Sequence, residues 1–581
     1  MADSKKHPNG ELSLQEAADL LDVHYILAGP LRDRGFSVGD LGADIDRRIL
    51  RRDRREQSTD DRRGRRLVRR RRRCTPPPQP APSPGSTPCT RARELGVMTR
   101  ALVWFRRDLS LDDNLAWATA TRDHTEVLPV YVFDRRLLDR VGPHRRRQLI
   151  ASVAALTDEL RTLGGSLTVA TGDPVEAVTR LVREHRVDAV VWNNDATRFA
   201  QARDEAVHRR LSHSGISVER SWSTLVHPPG TILTAAGGVP RVFGRFYERW
   251  SSAPLPGPEH AGGARILAIK GSSLPSIDGT APIAPGSEAA CHRLAAFLER
   301  IDAYDVERDL PGRDATSHLS TDLRFGTISP RQVVRAAAGP TPGREAFVRQ
   351  LAWRDWYAHL FAERPDLVDH AQQPQYDAIA WRSNSAEVQA WKHGRTGYPI
   401  VDAGMRELAA TGWMPNRLRL ITASFLVKDL LADWRIGERH FRHLLIDGDI
   451  PQNAGNWQWV AGTGPDAAPY FRVLNPLTQA RRFDPNGGYV RRFVPELAAL
   501  HGASIHAPSE LGPLELASAG VILGETYPLP IVDHPTARRR AIAAYAIAKN
   551  AQPDASPRSV KPPNKARPRP PNRPGRSEPI I

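Results

Sequence analysis

The chain has 581 residues, including 49 prolines and 43 glycines, and it carries a formal charge of +17. That length suffices for two or three domains with sizeable cores, although the proline and glycine content predicts that part of the chain is not packed. Residues 98–548 carry 53 Lys and Arg against 49 Asp and Glu, so the positive excess lies mostly at the two ends. These counts exclude a generally basic core, and a nucleic-acid surface there must be a local patch.

Cysteine usage and hydropathy exclude further classes of protein. The cysteines are Cys74, Cys89 and Cys291, and no two of them have the spacing of zinc ligands, so we expect a reducing, cytoplasmic setting and no metal. No apolar run approaches the length of a membrane span, and the N-terminus lacks the apolar core of a signal peptide. We therefore expect no membrane association.

Both ends of the chain are predicted to be disordered. In residues 1–97, an arginine-rich block at 47–73 is followed by TPPPQPAPSPGSTP, a composition that cannot bury apolar surface. Residues 549–581 form a basic, proline-rich tail of the same kind. Met98 stands just before the first strong strand pattern, which raises the hypothesis that residues 1–97 come from a mis-called start.

Residues 98–227 are predicted to form an α/β domain. Short apolar runs at 101–105, 126–133, 166–171, 188–193 and 216–222 alternate with helical patterns such as RRRQLIASVAALTDELRTLG. Such alternation predicts a Rossmann-like parallel sheet covered on both faces. The turn after the first run is RRDLSLDDN, which lacks the glycine fingerprint of a dinucleotide site, so we expect any dinucleotide to bind elsewhere.

Residues 286–548 are predicted to be helical. Leu294, Phe297, Leu298 and Ile301 recur at intervals of three and four residues, and similar patterns cover 344–363, 399–411 and 417–434. The segment 228–285, rich in glycine and proline over 228–264, is predicted to be a connector that wraps over a domain. The predicted order is thus an α/β domain, a connector and an all-α domain.

Several long sequence motifs together indicate a known protein family. They are WFRRDLSLDDNLAW at 104–117, TSHLSTDLRFGTISPR at 316–331, LAWRDWYAHL at 351–360, TGYPIVDAGMREL at 396–408, NRLRLITASFLVKDLLADW at 416–434 and DGDIPQNAGNWQW at 447–459. In this order the chain resembles the DNA photolyase and cryptochrome family, in its class I branch of deoxyribodipyrimidine photolyases, from about Thr99 to Ala548. The resemblance implies an antenna-type α/β domain, a helical domain that binds a U-shaped FAD, and a monomer.

The resemblance also assigns a flavin-binding set. Small hydroxyls and backbone N–H groups at a helix entry suit a pyrophosphate, although TSHLS taken alone is an ordinary helix cap. Arg354 would add a cation, its alternative being a surface ion pair. Two nearby carboxylates match positions that contact the adenosine ribose and the flavin ring, although such a pair is also common in a solvated turn. The set implied by the resemblance is Tyr304, Thr316, Ser317, His318, Leu319, Ser320, Arg354, Asp447, Gly448, Asp449 and Asn453.

Asn453 and three tryptophans are implied to take part in redox chemistry. Asn453 matches the residue that faces flavin N5, where an amide can follow a change in protonation without adding charge. Trp457, Trp434 and Trp381 match the electron-transfer chain that photoreduces the flavin, with Trp457 nearest the ring and Trp381 nearest solvent. Taken without the resemblance, they would be packing residues.

The substrate set follows from the same resemblance. A pyrimidine dimer inside duplex DNA must be flipped out and stacked on aromatic side chains, and Trp353 and Trp459 match the two walls of that pocket. The polar residues have ordinary alternatives, such as a helix N-cap for Asn416. The polar substrate contacts implied are Arg308, Gln350, Asn416, Arg417 and Gln479.

Two departures from the family pattern affect specificity. Gln350 stands where many enzymes acting on cyclobutane dimers carry glutamate, and an amide can bond a thymine edge but supplies neither charge nor proton. FAERPDLVDH at 361–370 lacks the lysine that some relatives direct toward a folate. A folate antenna, a deazaflavin antenna and no antenna all stay open.

Three functions compete. The preferred one is light-dependent splitting of cyclobutane pyrimidine dimers in DNA by an electron from photoexcited, reduced FAD. The second keeps the fold but makes the protein a cryptochrome-like photoreceptor or a (6-4) photolyase. Met414 and Pro415, rather than a histidine, precede Asn416, which counts against (6-4) chemistry. The third is a nucleic-acid-binding protein whose basic ends bind and whose core is inert.

Overall fold

The structure, a computed structural model, describes residues 98–466 and 469–550. Of the two ends predicted to be disordered, residues 1–97 and 551–581 lie outside the described residues, whereas Lys549 and Asn550 end a helix and were wrongly assigned to the tail. The first half of the described chain contains a six-stranded parallel sheet in the order β3-β2-β1-β4-β5, with β6 beside β2. Its strands are β1 (Arg100–Phe105), β2 (Glu126–Phe133), β3 (Thr168–Thr171), β4 (Ala189–Asn193), β5 (Ser217–Ser221) and β6 (Arg265–Ile266).

The sheet is covered on both faces, as the continuous apolar runs predict. Val103 and Phe105 enter one core cluster, whereas Leu102 and Trp104 enter the cluster on the opposite face. The covering helices are α1 (Leu115–Asp123), α2 (Arg135–Leu138), α3 (Pro143–Thr162), α4 (Pro174–Glu184) and α5 (Arg198–Ser212). The predicted Rossmann-like parallel sheet is confirmed, and β6, which lies within the predicted connector, is a strand that the sequence patterns missed.

The predicted connector contains a helix, α6 (Phe243–Ser252). Phe243, Phe246 and Trp250 are spaced at helical intervals and are each buried to 3% exposure or less. The flanking glycines and prolines hid this short amphipathic segment. It matters because α6 packs against the helix that carries Trp353.

The second half is helical, as predicted, and one large core cluster runs through it. Its α-helices are α7 (Ser287–Leu298), α8 (Tyr304–Glu307), α9 (Ser320–Phe325), α10 (Pro330–Ala337), α11 (Pro342–Glu363), α12 (Ser385–Lys392), α13 (Pro399–Thr411), α14 (Asn416–Ser424), α15 (Trp434–Leu444), α16 (Ile450–Ala461), α17 (Pro476–Phe483), α18 (Gly488–Phe493), α19 (Pro513–Ser518) and α20 (His534–Asn550).

The helix predicted over 417–434 is instead two helices. α14 ends at Ser424 and continues as a π-helical turn, Phe425–Asp429. Leu431 then takes a left-handed conformation with φ 51°, and Asp433 caps α15 by accepting a hydrogen bond from the Arg435 N–H at 2.9 Å. Trp434 is therefore the first residue of a new helix rather than the last of an old one.

A buried ion-pair cluster joins the two halves. Asp113 lies in the loop between β1 and α1 and has φ 51°, and its carboxylate accepts from Arg331 at 3.1 Å and from Arg335 at 2.8 Å. The Ser329 hydroxyl donates to the same carboxylate at 2.7 Å. Although burial alone would raise the pKa of Asp113, the bonds from Arg331 and Ser329 lower it, so the carboxylate is ionised inside the interface.

Within the described residues, no helix is both long and apolar enough to cross a lipid bilayer. The same part of the chain holds no cluster of three His, Cys, Asp or Glu side chains suited to a metal ion.

Candidate active site

The loop before α16 holds the two carboxylates singled out in the sequence. Asp447 accepts a hydrogen bond from Arg419 at 2.8 Å through Oδ2. Its other oxygen, Oδ1, is buried and has no partner among the described residues. An unsatisfied buried acceptor is costly, so Oδ1 is suited to a hydroxyl or N–H group of a ligand.

Two arginines pack closely on Gly448. A Cβ at Gly448 would lie 2.1 Å from Nη1 of Arg145, which donates to the Gly448 carbonyl at 3.1 Å. Arg324 donates to the same carbonyl at 2.8 Å. Burial lowers the pKa of Arg145 to about 10 and that of Arg324 to about 9. The loop is thus surrounded by strongly desolvated positive charge.

Asp449 belongs to an ion-pair chain that the sequence patterns did not reveal. It pairs with Arg107, which also contacts Asp195 at 3.0 Å. Burial alone would lower the pKa of Arg107, but the two carboxylates raise it. Arg107 and Asp195 follow β1 and β4, which are neighbours at the point where the strand order reverses. The usual location of ligand sites at such switch points could have drawn attention to them.

Asn453 is held in one orientation by Glu438. Its amide Nδ2 donates to the backbone carbonyl of Glu438 at 2.8 Å and to the carboxyl Oε1 at 3.0 Å. Burial raises the pKa of Glu438 despite the nearby Arg442. Because both amide hydrogens are used, Asn453 presents its carbonyl oxygen away from α15. The sequence analysis did not identify Glu438 as a site residue. The one pattern that could have pointed to it is its position four residues after Trp434.

Arg354 is not a surface ion pair. Its guanidinium donates to the backbone carbonyls of Leu323, at 2.9 Å, and Thr224, and burial lowers its pKa. No carboxylate within the described residues pairs with it directly. It lies beside the carboxylate loop, because the Gln452 amide donates to the Arg354 carbonyl at 2.7 Å. A partly solvated cation without a counter-ion is available to an anionic ligand.

The segment predicted to bind phosphates lies at the entry of α9. His318 has φ 53°, contacts Asp314 at 2.6 Å and packs on Trp413 with ring centres 4.6 Å apart. Ser317 Oγ accepts from the Leu319 N–H at 3.3 Å, and no side chain caps α9. The Leu319 side chain is buried in the core, so only its backbone can face a ligand. Thr316, Ser317 and His318 are half-buried, and Ser320 is exposed.

Tyr304 begins α8 beside that segment. It packs edge-on against Phe297 and Phe347 at 5.6 and 5.4 Å, and the Arg308 guanidinium lies 5.7 Å from its ring centre. Burial raises the pKa of the Tyr304 hydroxyl, with a smaller opposing effect from Arg308. The phenol is therefore neutral and can act as a hydrogen-bond donor.

Trp457 is fixed by the contact between α15 and α16. A Cβ at Gly437 would lie 2.1 Å from Cη2 of Trp457, so only glycine lets the indole lie so close to α15. The ring packs edge-on against Phe441 at 5.0 Å and Trp391 at 6.2 Å. Trp391 was not a predicted site residue, because tryptophans spaced 66 residues apart show no pattern in sequence.

Trp434 and Trp381 lie at the same end of the helical half. Trp434 is fully buried, one helical turn before Gly437, and the Arg435 guanidinium lies 4.9 Å from its ring centre. Trp381 is half-buried and packs edge-on against Tyr545 at 6.0 Å. In the described structure neither indole makes a direct ring contact with Trp457 or with the other. Of the three predicted relay tryptophans, Trp381 is the one open to solvent.

Trp353 and Trp459 are partly exposed at the rim of the helical core. Trp353 stacks on Phe243 of α6 with ring centres 3.8 Å apart and planes 13° apart, so Phe243 covers one face of the indole. α11 and α16 pack closely, because a Cβ at Gly455 would lie 2.3 Å from the Tyr357 ring. Phe243 was missed because its helix was predicted to be connector.

The polar substrate residues differ in their contacts. Arg417 pairs with Asp309 at 2.6 Å and lies 4.2 Å from the Phe483 ring centre, so it is anchored within the protein. Gln479 is buried, and its Oε1 has no partner among the described residues. Asn416 is exposed and is the first residue of α14, whose N-cap is Pro415, so the N-cap alternative is wrong.

Gln350 bonds to its own helix. Its Nε2 donates to the Ala346 carbonyl, one turn earlier, at 3.2 Å. The amide is half-buried and lies one turn before Trp353 on α11. A glutamate could not make this bond, because a carboxylate only accepts.

Taken together, these residues fit a flavin dinucleotide. Asp447 Oδ1 is a buried acceptor without a donor, Arg354 is a cation without a counter-ion, and Asn453 presents a fixed carbonyl. A ribose, a pyrophosphate and an isoalloxazine ring respectively supply the matching chemistry.

Comparisons with known proteins agree with this fit. Residues 101–260 match the DNA photolyase family, and residues 347–547 match the FAD-binding domain of DNA photolyase. A deoxyribodipyrimidine photo-lyase of Agrobacterium fabrum is 40% identical over 469 residues, which cover 77% of this chain and 98% of that protein. The chain belongs to the DNA photolyase family. The family predicted from the motifs is therefore confirmed.

Two further photolyases show the extent of the similarity. The deoxyribodipyrimidine photo-lyase of Escherichia coli is 38% identical over 477 residues, covering 78% of this chain and 99% of that one. The crystal structure of a bacterial class III photolyase from Agrobacterium tumefaciens superposes with a TM-score of 0.73 at 39% identity, covering 78% and 98% of the two chains. The similarity thus spans both halves of the fold.

The switch-point crevice of this photolyase is nearly closed. Arg106, Arg107, Asp108, Asn193, Asn194, Asp195 and Thr224 line a volume of about 10 Å³ there. That is room for roughly one water molecule. The antenna chromophore, folate or deazaflavin, stays a prediction without an assigned site.

Proposed function

We propose that this photolyase repairs DNA by splitting cyclobutane pyrimidine dimers under blue light. The observation that carries the proposal is the packing of α11 against α16. It places the helix of Trp353, an aromatic wall, beside the helix of Asn453, an amide fixed for a flavin. When bound, reduced FAD supplies the electron that splits the dimer and takes it back without net redox change.

The protein's own residues bind and orient the cofactor. Asp447 would accept from a ribose hydroxyl, and Arg354 would balance phosphate or ring charge. Thr316, Ser317, His318, Ser320, the Leu319 backbone and Tyr304 would hold the pyrophosphate. Glu438 prevents the Asn453 amide from rotating, so the amide would offer the same carbonyl to the ring. Asp449 keeps its loop in place through Arg107.

A flipped dimer is received between aromatic walls. Trp353, backed by Phe243, and Trp459 provide the stacking surfaces, which exclude water from the reacting bases. Asn416 and Gln479 offer polar atoms to base edges. Arg308 and Arg417 offer charge to phosphates, although Arg417 must share its charge with Asp309. Trp457, Trp434 and Trp381 would carry electrons inward when the cofactor has to be reduced again.

The domain bounds, the oligomeric state and the cellular location of the enzyme are part of the same proposal. Residues 98–227 form the antenna domain, 228–285 the connector and 286–548 the catalytic domain. The enzyme acts as a cytoplasmic monomer on DNA that contains pyrimidine dimers.

A cryptochrome-like photoreceptor is the second candidate. The observation that favours it is the Gln350 amide, which bonds to its own helix rather than being free for a thymine edge. The half-exposed Trp353 and Trp459 favour repair, because a signalling protein needs no stacking walls.

The test uses the full chain and a chain truncated to residues 98–548, both purified in dim light. Flavin absorbance is followed before and after blue light, and DNA with one defined thymine dimer is then added. Light-dependent loss of the dimer by both chains is expected. Photoreduction without repair would assign the photoreceptor function. A colourless protein that binds DNA only through its ends would assign the third function, a nucleic-acid-binding protein with an inert core.

A further inference from the structure

An open groove lies between α12 and α15. Its volume is about 570 Å³. Each helix contributes residues at intervals of three and four, so one face of each helix forms a wall. The wall residues are Ser385, Val388, Gln389 and Lys392 on α12 and Ile436, Arg439, His440 and His443 on α15.

The groove is cationic. Within the described residues neither Lys392 nor Arg439 forms an ion pair with a carboxylate, although the buried Glu438 attracts Arg439 electrostatically. Arg382 at the mouth is instead neutralised by Glu387 at 2.9 Å. No Asp or Glu of the described chain lines the groove. Val388 and Ile436 add a small apolar surface between the charges. Two unpaired cations beside an apolar surface suit a small organic anion.

Aromatic contacts join the groove to the predicted electron-transfer chain. The His440 ring lies 5.5 Å from the Trp391 ring, and Trp391 lies 6.2 Å from Trp457. His440 Nε2 is buried without a partner among the described residues, and burial lowers the pKa of this imidazole to about 4. His440 is therefore a neutral ring between the groove and a fully buried indole.

We infer that this groove binds an anionic one-electron donor and that Trp391 passes its electron to Trp457. The inference rests on the proposed function, because it needs Trp457 to lose an electron during photoreduction. The donor is oxidised by one electron, and the cationic indole of Trp457 is reduced to its neutral form. Any proton that the donor loses goes to solvent. The groove thus provides an entry separate from Trp381.

The test compares two electron donors on the FAD-loaded full chain. Ascorbate is an anion at pH 7, and dithiothreitol is uncharged. With ascorbate, the photoreduction rate should saturate, and its half-saturating concentration should rise about tenfold in the Lys392→Gln/Arg439→Gln variant, which loses two charge-assisted contacts. The dithiothreitol rate should not change. The matched control is Arg209→Gln/Arg210→Gln, which removes two exposed cations from α5 and should leave both rates unchanged.

Redox-inert pyrophosphate supplies a second, cofactor-independent readout. It should compete with ascorbate but not with dithiothreitol, and calorimetry should detect its binding to the full chain and a loss of binding in Lys392→Gln/Arg439→Gln. A non-saturating ascorbate rate that is equal in all variants would overturn the inference. So would competition by undamaged duplex DNA without competition by pyrophosphate. If neither donor reduces the flavin, the proposed function fails, whereas calorimetry still tests the groove.

Trp391→Phe tests the route itself. It should slow reduction by ascorbate at least fivefold while retaining reduction by dithiothreitol. Because the Trp391 indole donates to the Thr422 carbonyl at 2.9 Å, the variant's melting temperature and FAD content are measured alongside. An unchanged ascorbate rate in a folded, FAD-containing variant would exclude Trp391 from the route.

Discussion

Gly437 and Trp457 lie so close that a Cβ on Gly437 would be 2.1 Å from Cη2 of the indole. Gly437→Ala must therefore move either the ring or α15. We expect a loss of about 1–3 kcal/mol of unfolding free energy, typical of overpacking, and slower flavin photoreduction. Urea unfolding and flavin absorbance measure the two effects. Gly244→Ala in α6 is the control, because nothing lies within 4 Å of its new Cβ. Equal stability of both variants would contradict the prediction.

Asp449→Asn should destabilise the carboxylate loop. The substitution leaves Arg107 with one counter-ion instead of two in a buried setting that also contains Arg324. Removing one partner of a buried pair costs about 3–5 kcal/mol when the other charge is left unpaired, and the loss here should be smaller because Arg107 keeps Asp195. We expect weaker retention of FAD and a lower melting temperature, measured by flavin content after gel filtration and by thermal unfolding. Asp305→Asn, an exposed acid on α8, should change neither, and a matching loss there would indicate a general charge effect.

Phe243→Leu should weaken binding of damaged DNA. Phe243 supports Trp353 through a stack 3.8 Å between ring centres, and such a contact contributes about 0.5–1.5 kcal/mol. The expected result is a rise of roughly three- to tenfold in the Kd for DNA with a thymine dimer. Affinity for undamaged DNA should change little. Phe199→Leu on α5 controls for the loss of an aromatic ring. An unaltered Kd in a folded Phe243→Leu protein would show that Phe243 does not support Trp353 in binding damaged DNA.

Gln350→Glu should increase repair of cyclobutane dimers. The carboxylate cannot donate to the Ala346 carbonyl as the amide does at 3.2 Å, so it is released toward Trp353. The repair yield per absorbed photon is the measurement, with Gln201→Glu on α5 as a matched control, because the Gln201 amide also donates to a backbone carbonyl, that of Ala196, at 3.4 Å. A lower yield would contradict the prediction and show that the Gln350 amide suits the dimer repaired by this enzyme better than a carboxylate does.

Glu407 should make stability depend on pH. Tyr489 donates to its carboxyl at 2.5 Å, and burial raises the pKa of Glu407 from 4.5 to about 7. Since the folded protein binds this proton more tightly, the associated stability is complete below pH 4.5 and is lost as the pH rises through 7. The loss is at most about 3 kcal/mol. Urea unfolding from pH 4.5 to 8 should show a flatter profile for Glu407→Gln than for the native chain.

The sheet was predicted well from the sequence because the apolar pattern of each strand lies within a few consecutive residues. Five strands appear as runs with apolar residues, four of them mostly buried and β5 partly exposed, and each run is bounded by turn or helix residues. The break before Trp434 was missed because it depends on a single left-handed residue, Leu431, within an otherwise periodic pattern. β6 has only two residues, too few for any pattern.

The site was predicted less completely, because its contacts are distant in sequence. Motifs identified Asp447, Asp449 and Asn453, but they could not show that Glu438 fixes the amide or that Arg107 pairs with a residue 342 positions away. Phe243 lay in a segment whose glycines and prolines concealed a helix. Packing between helices, rather than local preference, decides these contacts.

The ion pair between Asp113 and Arg331 has a consequence for how the molecule can be divided. Its side chains are 2% and 3% exposed, so separating the sheet half from the helical half would leave a carboxylate and a guanidinium without partners. The two halves should therefore unfold in a single cooperative transition. A sheet domain taken from another photolyase would function here only if it supplied an acid where Asp113 stands. Either half can therefore be exchanged only for one that keeps its own member of this ion pair.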